Sequence, residues 1–161
     1  EAETSLKVLG AVGHWLDGPD GALFQQETRL AKDLAAEWMR SPPDVIAAPF
    51  PTDRHPDHAV AARIVGAAAA IALSADTVVL GYEVWTPAPI NAVLDISSVA
   101  DAKWRAIAAH SSQTATTDYI RAAQGLSSYR AVTSGRRLDW AEAFHQSTSG
   151  EYARKANSLK V

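Results

Sequence analysis

Hydrophobic residues along the chain follow two patterns, one with helical spacing and one with short continuous runs. Helical spacing predicts amphipathic helices over residues 1–9 and 23–39 and an alanine-rich helix over 59–73. Further helices are expected from Ser97 or Ser98 to about His110, and from Thr116 or Thr117 to about Tyr129. Apolar runs predict strands over residues 12–16, 44–48, 77–82 and 91–96. The alternation of strands and helices indicates an α/β fold.

The end of the chain lacks this patterning. Residues 147–161 are polar and punctuated by serines and Gly150, which predicts a loose C-terminal tail. A chain of 161 residues is long enough for a single hydrophobic core, so the remainder counts as one domain. We therefore expect one α/β domain over residues 1–146 and a polar tail over 147–161.

Composition excludes several classes of protein. A net charge of -3 and a pI near 5.9 argue against nonspecific binding to nucleic acid, which needs a basic face. Zero cysteines exclude disulfides and thiolate zinc sites, and they fit a reducing cytoplasm, which is the expected location. The longest apolar stretch is interrupted by Arg63 and is too short to span a bilayer.

One stretch, residues 51–58, places polar side chains between a predicted strand and a predicted helix. Open α/β sheets place their chemistry at such turns, because the carboxyl ends of parallel strands form a crevice there. Pro56 suits the first position of a helix, so His55 is expected to cap it. His55 and His58 would then share a face with Asp57 beside them, and a neutral imidazole is a common zinc ligand. The alternative is a solvated turn with good capping chemistry.

The turn alone does not complete a metal centre. A catalytic zinc has three protein ligands and an open position for water, and this stretch offers at most two. At least one ligand is therefore expected from elsewhere. Iron or cobalt could replace zinc in such a His and carboxylate site, because geometry and availability decide occupancy.

An ordered set of short motifs resembles the LmbE / PIG-L family of zinc-dependent deacetylases, which remove the acetyl group from N-acetylglucosamine units. The resemblance extends from Glu1 to about His145, and its central motif is Asp53-Arg54-His55-Pro56-Asp57-His58. It implies a Rossmann-like three-layer sandwich with a mostly parallel sheet. The other matching segments are Tyr82-Glu83-Val84-Trp85, Leu94-Asp95-Ile96-Ser97, Lys103 and His110-Ser111-Ser112-Gln113.

The family's A-H-P-D-D motif, which follows the first strand and supplies two zinc ligands and the general base, does not occur in this sequence. The only H-P-D begins at His55. Three explanations are open: a fragment, a mature chain whose N-terminal part is a separate polypeptide, or a relative that has lost the motif. We favour the first two, because lack of the first strand would expose an edge of a normally buried parallel sheet. The first strand and its metal-binding loop are thus expected outside this chain, on a second polypeptide or segment.

The resemblance assigns roles to five residues. His58 is the expected Zn²⁺ ligand, and His55 would stabilise the oxyanion or protonate the leaving amine. Asp57 would orient or polarise one of the two histidines. Arg54 and Asp20 would bind the sugar, although Asp20 is equally suited to forming the turn before Gly21.

The expected activity is metal-dependent hydrolysis of the N-acetyl amide of an N-acetylglucosamine-type conjugate. This chain would supply only part of the active site and would be inactive without the missing segment. Two other hypotheses are a noncatalytic sugar-binding or assembly module that uses the same cleft, and an α/β scaffold with no surviving site.

Overall fold

The computed structural model describes residues 1–158. Within these residues, four strands and seven helices follow one another in chain order, with a short 3-10 helix at Leu23–Gln26. They are α1 (Ala2–Leu9), α2 (Glu27–Arg40), β1 (Val45–Pro49), α3 (Pro56–Ala72), β2 (Val78–Tyr82), β3 (Ala92–Asp95), α4 (Ala100–Ala108), α5 (Ser111–Thr114), α6 (Tyr119–Thr133), β4 (Ala141–Thr148) and α7 (Ser149–Ser158). The mixed composition of strands and helices confirms the α/β class.

The four strands form one sheet in the order β1-β2-β4-β3. Strand β1 runs parallel to β2, with Val45 opposite Val78 and Pro49 opposite Tyr82. Strand β4 runs antiparallel to β2, which places Phe144 opposite Tyr82. The expectation of a mostly parallel sheet is therefore wrong. The first residues of β4 lie beside the end of β2, and its last residue, Thr148, lies opposite Val78 at the start of β2, so the two strands run in opposite directions.

Strand β3 also pairs in the antiparallel sense. The Asn91 N–H donates to the Phe144 carbonyl, and the Ile96 N–H donates to the Trp140 carbonyl, each at 3.0 Å. Residue numbers rise along one strand as they fall along the other, so the chains run in opposite directions. Only the β1–β2 pair keeps the parallel arrangement that the sequence predicts.

The chain divides into two compact units. The first contains residues 1–15 and 93–143, and the second contains residues 16–92 and 144–158 within the described part of the chain. The first unit holds α1, α4, α5 and α6. In it, the Glu1 carboxylate accepts hydrogen bonds from Ser111 and Ser112, and the Trp104 and Trp140 rings meet edge to face at 5.5 Å.

The second unit contains β1, β2, most of β4, and helices α2, α3 and α7. Two groups of buried side chains stabilise it by removing apolar surface from water. One group joins α3 and α7 to the sheet, and the other joins α2 to α3. The first consists of Ile46, Ala48, Ala62, Val79, Tyr152 and Ala156, and the second of Leu30, Ala31, Val60 and Ile64.

The C-terminal residues differ most from expectation. The sequence predicts a loose tail from Ser147, but β4 continues to Thr148 and α7 occupies 149–158. Tyr152 is 2% exposed, and its hydroxyl donates to the Pro49 carbonyl at 2.5 Å. Burial of these few apolar residues holds the polar segment in place, which corrects the prediction. Residues 159–161 of the predicted tail lie outside the described part of the chain.

A second correction concerns residues 12–16, for which the sequence predicts a strand. They adopt neither helix nor strand, and Val12 is 84% exposed. A short apolar run becomes a strand only where a partner strand completes its hydrogen bonds.

Within residues 1–158, no helix has both the length and the apolar character needed to cross a bilayer.

Candidate active site

The stretch from Phe50 to Pro56 links β1 to α3. The Phe50 N–H donates to the Tyr82 carbonyl at 2.9 Å, which ends the parallel pairing with β2. His55 is the N-cap residue of α3 with extended backbone angles, φ -74° and ψ 125°. Pro56 lies in the first turn of α3. Backbone N–H groups there have no acceptor within the helix, so the N–H that proline lacks is not needed. The strand, turn and helix thus lie where the sequence predicts them.

The imidazole rings of His55 and His58 stack on each other. Their centroids are 4.5 Å apart and their planes are inclined by 30°. The His58 side chain is 26% exposed, and His55 is half-buried. Residues three apart at a helix start share a face, which brings the two rings together.

Asp53 lies directly behind this pair. Its Oδ1 accepts a hydrogen bond from the His55 backbone N–H at 2.9 Å and lies 3.0 Å from Nδ1 of His58. Its Oδ2 accepts hydrogen bonds from the backbone N–H groups of Trp85 at 2.9 Å and Thr86 at 3.2 Å. The side chain is only 1% exposed. One buried carboxylate therefore connects the histidine turn to the segment that follows β2.

The surroundings of Asp53 favour its charged form. Burial alone would raise the pKa of this carboxyl, but hydrogen bonds from the His55 and Trp85 N–H groups and from His58 outweigh burial. The pKa of Asp53 is consequently held below its ordinary value.

Asp57 has other partners. Its Oδ2 accepts a hydrogen bond from the Gly21 N–H at 2.6 Å, and its Oδ1 accepts one from the Leu23 N–H at 3.3 Å. The resemblance assigns Asp57 to orient a histidine, but the structure places Asp53 in that position. The carboxylate of Asp57 instead ties the first turn of α3 to the loop before the 3-10 helix.

The two expected sugar-binding residues are both exposed. Asp20 immediately precedes Gly21, whose N–H is held by Asp57, so this loop is fixed to the start of α3. The Arg54 backbone N–H donates to Thr86 Oγ1 at 3.0 Å, and its guanidinium belongs to an exposed side chain. Hydrogen bonds made by residues 54 and 57 therefore hold the backbone at Arg54 and the loop that carries Asp20.

The segment after β2 is fixed at two points. Asp53 holds its start through Trp85 and Thr86, and Glu83 Oε1 accepts a hydrogen bond from the Ala88 N–H at 2.8 Å. Trp85 is 56% exposed, although a buried position is the commoner fate of an aromatic side chain. A large apolar side chain is therefore presented to solvent on a segment that the histidine turn anchors.

The donor set fits one position of a zinc site. With Nδ1 of His58 beside a carboxylate, Nε2 is the nitrogen left to bind a metal, and such carboxylate partners are common behind metal-bound histidines. His55 Nδ1 is buried and lacks a hydrogen-bond partner among the described residues. Across residues 1–158, no three histidine, aspartate or glutamate side chains converge to hold a metal ion. Within residues 1–158, these residues thus include one imidazole nitrogen suited to a metal but no complete set of metal ligands.

Sequence reasoning includes Asp53 in the motif without giving it a role. One local signal is present: an aspartate often accepts a hydrogen bond from the N–H two residues later, here that of His55. Its contacts with Trp85 and Thr86 span more than thirty positions of sequence and leave no local pattern. These two contacts therefore depend on the tertiary fold, whereas those with His55 and His58 lie within the same turn.

Comparison with known proteins bears on the same turn. The model of the PIG-L family, described as GlcNAc-PI de-N-acetylase, matches residues 1–69, a range that includes both histidines. Comparison with curated proteins gives no significant match.

Three solved structures share the fold. A conserved protein from Thermus thermophilus is 28% identical, with a TM-score of 0.69 over 88% of this chain and 68% of that chain. GalB, the 4-carboxy-2-hydroxymuconate hydratase from Pseudomonas putida, is 24% identical, with a TM-score of 0.68 over 88% of this chain and 67% of that one. The N,N'-diacetylchitobiose deacetylase from Pyrococcus horikoshii is 19% identical, with a TM-score of 0.75 over 93% of this chain and 62% of that one.

The family match and the structural matches support different conclusions about this chain. The chain spans only 62% of the length of the deacetylase, and at 19% identity this likeness concerns the fold alone. The same limit applies to the hydratase at 24% identity. Residues 1–69 are thus similar to the PIG-L family model, and the chain as a whole has a fold that is also found in a sugar deacetylase.

Proposed function

We propose that this chain takes part in metal-dependent hydrolysis of the N-acetyl amide of an N-acetylglucosamine-type conjugate. The observation that carries the proposal is the stacked His55 and His58 pair at the end of β1, with Asp53 behind His58. The pair lies inside the range matched by a family described as a de-N-acetylase, and the fold occurs in a chitobiose deacetylase. Both comparisons support a deacetylase or a related hydrolase.

The proposed roles of the two histidines differ. His58 would contribute one ligand to Zn²⁺ through Nε2, since Asp53 occupies its other nitrogen. When bound, such an ion polarises a carbonyl and lowers the pKa of its bound water to about 7. His55, half-buried and stacked on His58, would donate a hydrogen bond to the developing oxyanion or a proton to the leaving amine.

Residues around the pair are suited to binding a sugar. The exposed guanidinium of Arg54 offers a forked set of donors, and the exposed carboxylate of Asp20 offers acceptors for hydroxyl groups. Asp57 would contribute indirectly, because it fixes the loop that carries Asp20.

The proposal needs more metal ligands than the described residues bring together. Residues 1–158 contain no group of three potential metal-binding side chains, whereas a catalytic zinc has three protein ligands. We infer that an additional segment or second chain supplies the remaining ligands and the general base. Residues 1–161 alone should then show no deacetylase activity.

The direct test is acetate release from N-acetylglucosamine conjugates in the presence of Zn²⁺. The chain would be assayed alone and after addition or fusion of a strand bearing an A-H-P-D-D motif. We expect activity only in the supplemented protein. His58→Ala should remove it, whereas His145→Ala should not, because His145 bonds to the Pro89 carbonyl instead. A supplemented protein that binds zinc and remains inert on every such sugar would contradict the proposal.

A second candidate is a noncatalytic sugar-binding or assembly module. The absence of a three-ligand group within residues 1–158 favours it, because a catalytic zinc has three protein ligands. Titration calorimetry with an N-acetylated sugar in the presence of a chelator separates the two. Binding that needs no metal, together with no acetate release, would select the module.

A further inference from the structure

Three backbone N–H groups donate hydrogen bonds to the Asp53 carboxylate. The backbone N–H groups of His55, Trp85 and Thr86 lie at 2.9, 2.9 and 3.2 Å from its oxygens. A backbone N–H can only donate, so Asp53 must accept at both oxygens. Both oxygens of Asp53 therefore act as acceptors towards their neighbours.

The remaining neighbour, His58, has two neutral tautomers. Its Nδ1 lies 3.0 Å from Oδ1 of Asp53. If Nδ1 carried a lone pair, that lone pair would face an acceptor oxygen, which is repulsive. If Nδ1 carries the proton, the contact becomes a charge-assisted hydrogen bond. The geometry therefore selects the form of His58 that is protonated on Nδ1 and has a lone pair on Nε2.

The Asp53 carboxylate is unsuited to reacting directly with a substrate. It has about four lone-pair positions, and four neighbouring N–H groups now occupy them. Its side chain is 1% exposed, so neither water nor substrate reaches it. Asp53 can act only through the groups that it holds.

We propose that Asp53 is a positioning residue that keeps the proton of His58 on Nδ1 and at the same time fixes the backbone of Trp85 and Thr86. The tautomer would then be set before any metal or sugar binds. A lone pair on Nε2 is what a metal ligand requires, and this consequence rests on the proposed function. The tautomer and the anchored segment do not depend on it.

Asp57 provides a matched control for Asp53. Both aspartates are buried, they lie four positions apart, and each accepts hydrogen bonds from backbone N–H groups. Only Asp53 contacts a histidine ring. Asp53→Ala therefore removes three backbone contacts and Asp57→Ala removes two, but only Asp53→Ala also removes the hydrogen-bonding partner of His58 Nδ1.

The experiment is long-range ¹H–¹⁵N correlation NMR of the full chain without metal or sugar, at mildly alkaline pH. We expect wild-type His58 to be protonated on Nδ1. In Asp53→Ala the signals should move toward the Nε2–H form that a free histidine favours, whereas Asp57→Ala should retain the wild-type pattern. Amide hydrogen exchange at Trp85 and Thr86 should accelerate in Asp53→Ala alone.

A wild-type spectrum with His58 protonated on Nε2 would overturn the proposal without any variant, so the test survives if Asp53→Ala does not fold. An unchanged His58 pattern in a folded Asp53→Ala protein would overturn it as well. Because the samples contain neither zinc nor sugar, failure here would leave the deacetylase proposal in place. Conversely, inactivity on acetylated sugars would leave the tautomer assignment in place.

Discussion

Two aspartates of one motif, Asp53 and Asp57, show that the surroundings of a residue determine which groups its side chain contacts. Asp53 and Asp57 belong to the same motif and are both buried, at 7% and 6% exposure. Asp53 contacts His58 and the segment after β2, whereas Asp57 holds the loop before the 3-10 helix. Burying a carboxylate is unfavourable unless it is hydrogen-bonded, and each of these has backbone donors. Identical side chains four positions apart therefore have separate functions.

The lowered pKa of Asp53 predicts how stability responds to acid. Its folded value lies below the ordinary value of about 3.9, so the stabilising contribution is complete above that pH. The contribution is lost as pH falls through the folded pKa, because protonation breaks the acceptor contacts. Urea unfolding from neutral pH to about pH 3 should show a steeper loss of free energy in wild type than in Asp53→Asn. Parallel pH profiles for the two proteins would contradict this expectation.

At the scale of elements, close packing of α3 on α7 organises the second unit. Gly66 in α3 faces the backbone of Ala153 in α7, where an added Cβ would lie 3.0 Å from Cα and 3.3 Å from Cβ. Small residues at this point let the two helices approach each other closely. The helix that sequence patterning missed is thus held by one that it identified.

Adding one methyl group tests that packing. Gly66→Ala should reduce the free energy of unfolding by about 1 kcal/mol, because overpacking outweighs the gain in helix propensity. Gly125 in α6 is the control, since an added Cβ would meet nothing within 4 Å. Gly125→Ala should stabilise by about 0.5–1 kcal/mol through propensity alone. Denaturant unfolding measures both, and equal stabilisation by the two substitutions would argue against close packing.

The buried hydroxyl of Tyr152 predicts a second property of α7. Its hydrogen bond to the Pro49 carbonyl should make Tyr152→Phe less stable by about 1 kcal/mol at neutral pH. Burial raises the pKa of Tyr152, so its contribution is complete below the ordinary value of about 10 and declines as pH rises above it. Wild type should therefore lose stability more steeply than Tyr152→Phe above about pH 10. Identical alkaline profiles would exclude this role, and Tyr129→Phe at an exposed position serves as control.

At the scale of the whole molecule, local signals determine which elements the sequence reveals. Helix α1 ends at Leu9 and is capped by Gly10, whose φ of 65° favours glycine, and α3 begins at Pro56, so local sequence signals mark both of these helix ends. Strand β4 carries polar residues such as Gln146 and Ser147 and becomes a strand because β2 pairs with it. Antiparallel pairing and the helix α7 depend on such nonlocal contacts.

The contacts of the candidate site can also be separated into those that local sequence patterns predict and those that depend on distant segments. The spacing of His55 and His58 is local and predicts their shared face. Asp53 also contacts both histidines within the turn, whereas its contacts with Trp85 and Thr86, and those of Asp57 with the loop at Gly21, join segments distant in sequence. Periodicity and capping chemistry therefore locate the site, and tertiary contacts complete the surroundings of its carboxylates.

Zinc stoichiometry tests the central proposal, that His58 binds Zn²⁺ when an added segment supplies the other ligands. Elemental analysis after removal of loosely bound metal would compare the protein supplemented with an A-H-P-D-D strand with its His58→Ala and His145→Ala variants. We predict about one zinc per molecule in the supplemented protein and in His145→Ala, and none in His58→Ala. Equal zinc content in His58→Ala and in the unsubstituted protein would contradict the account.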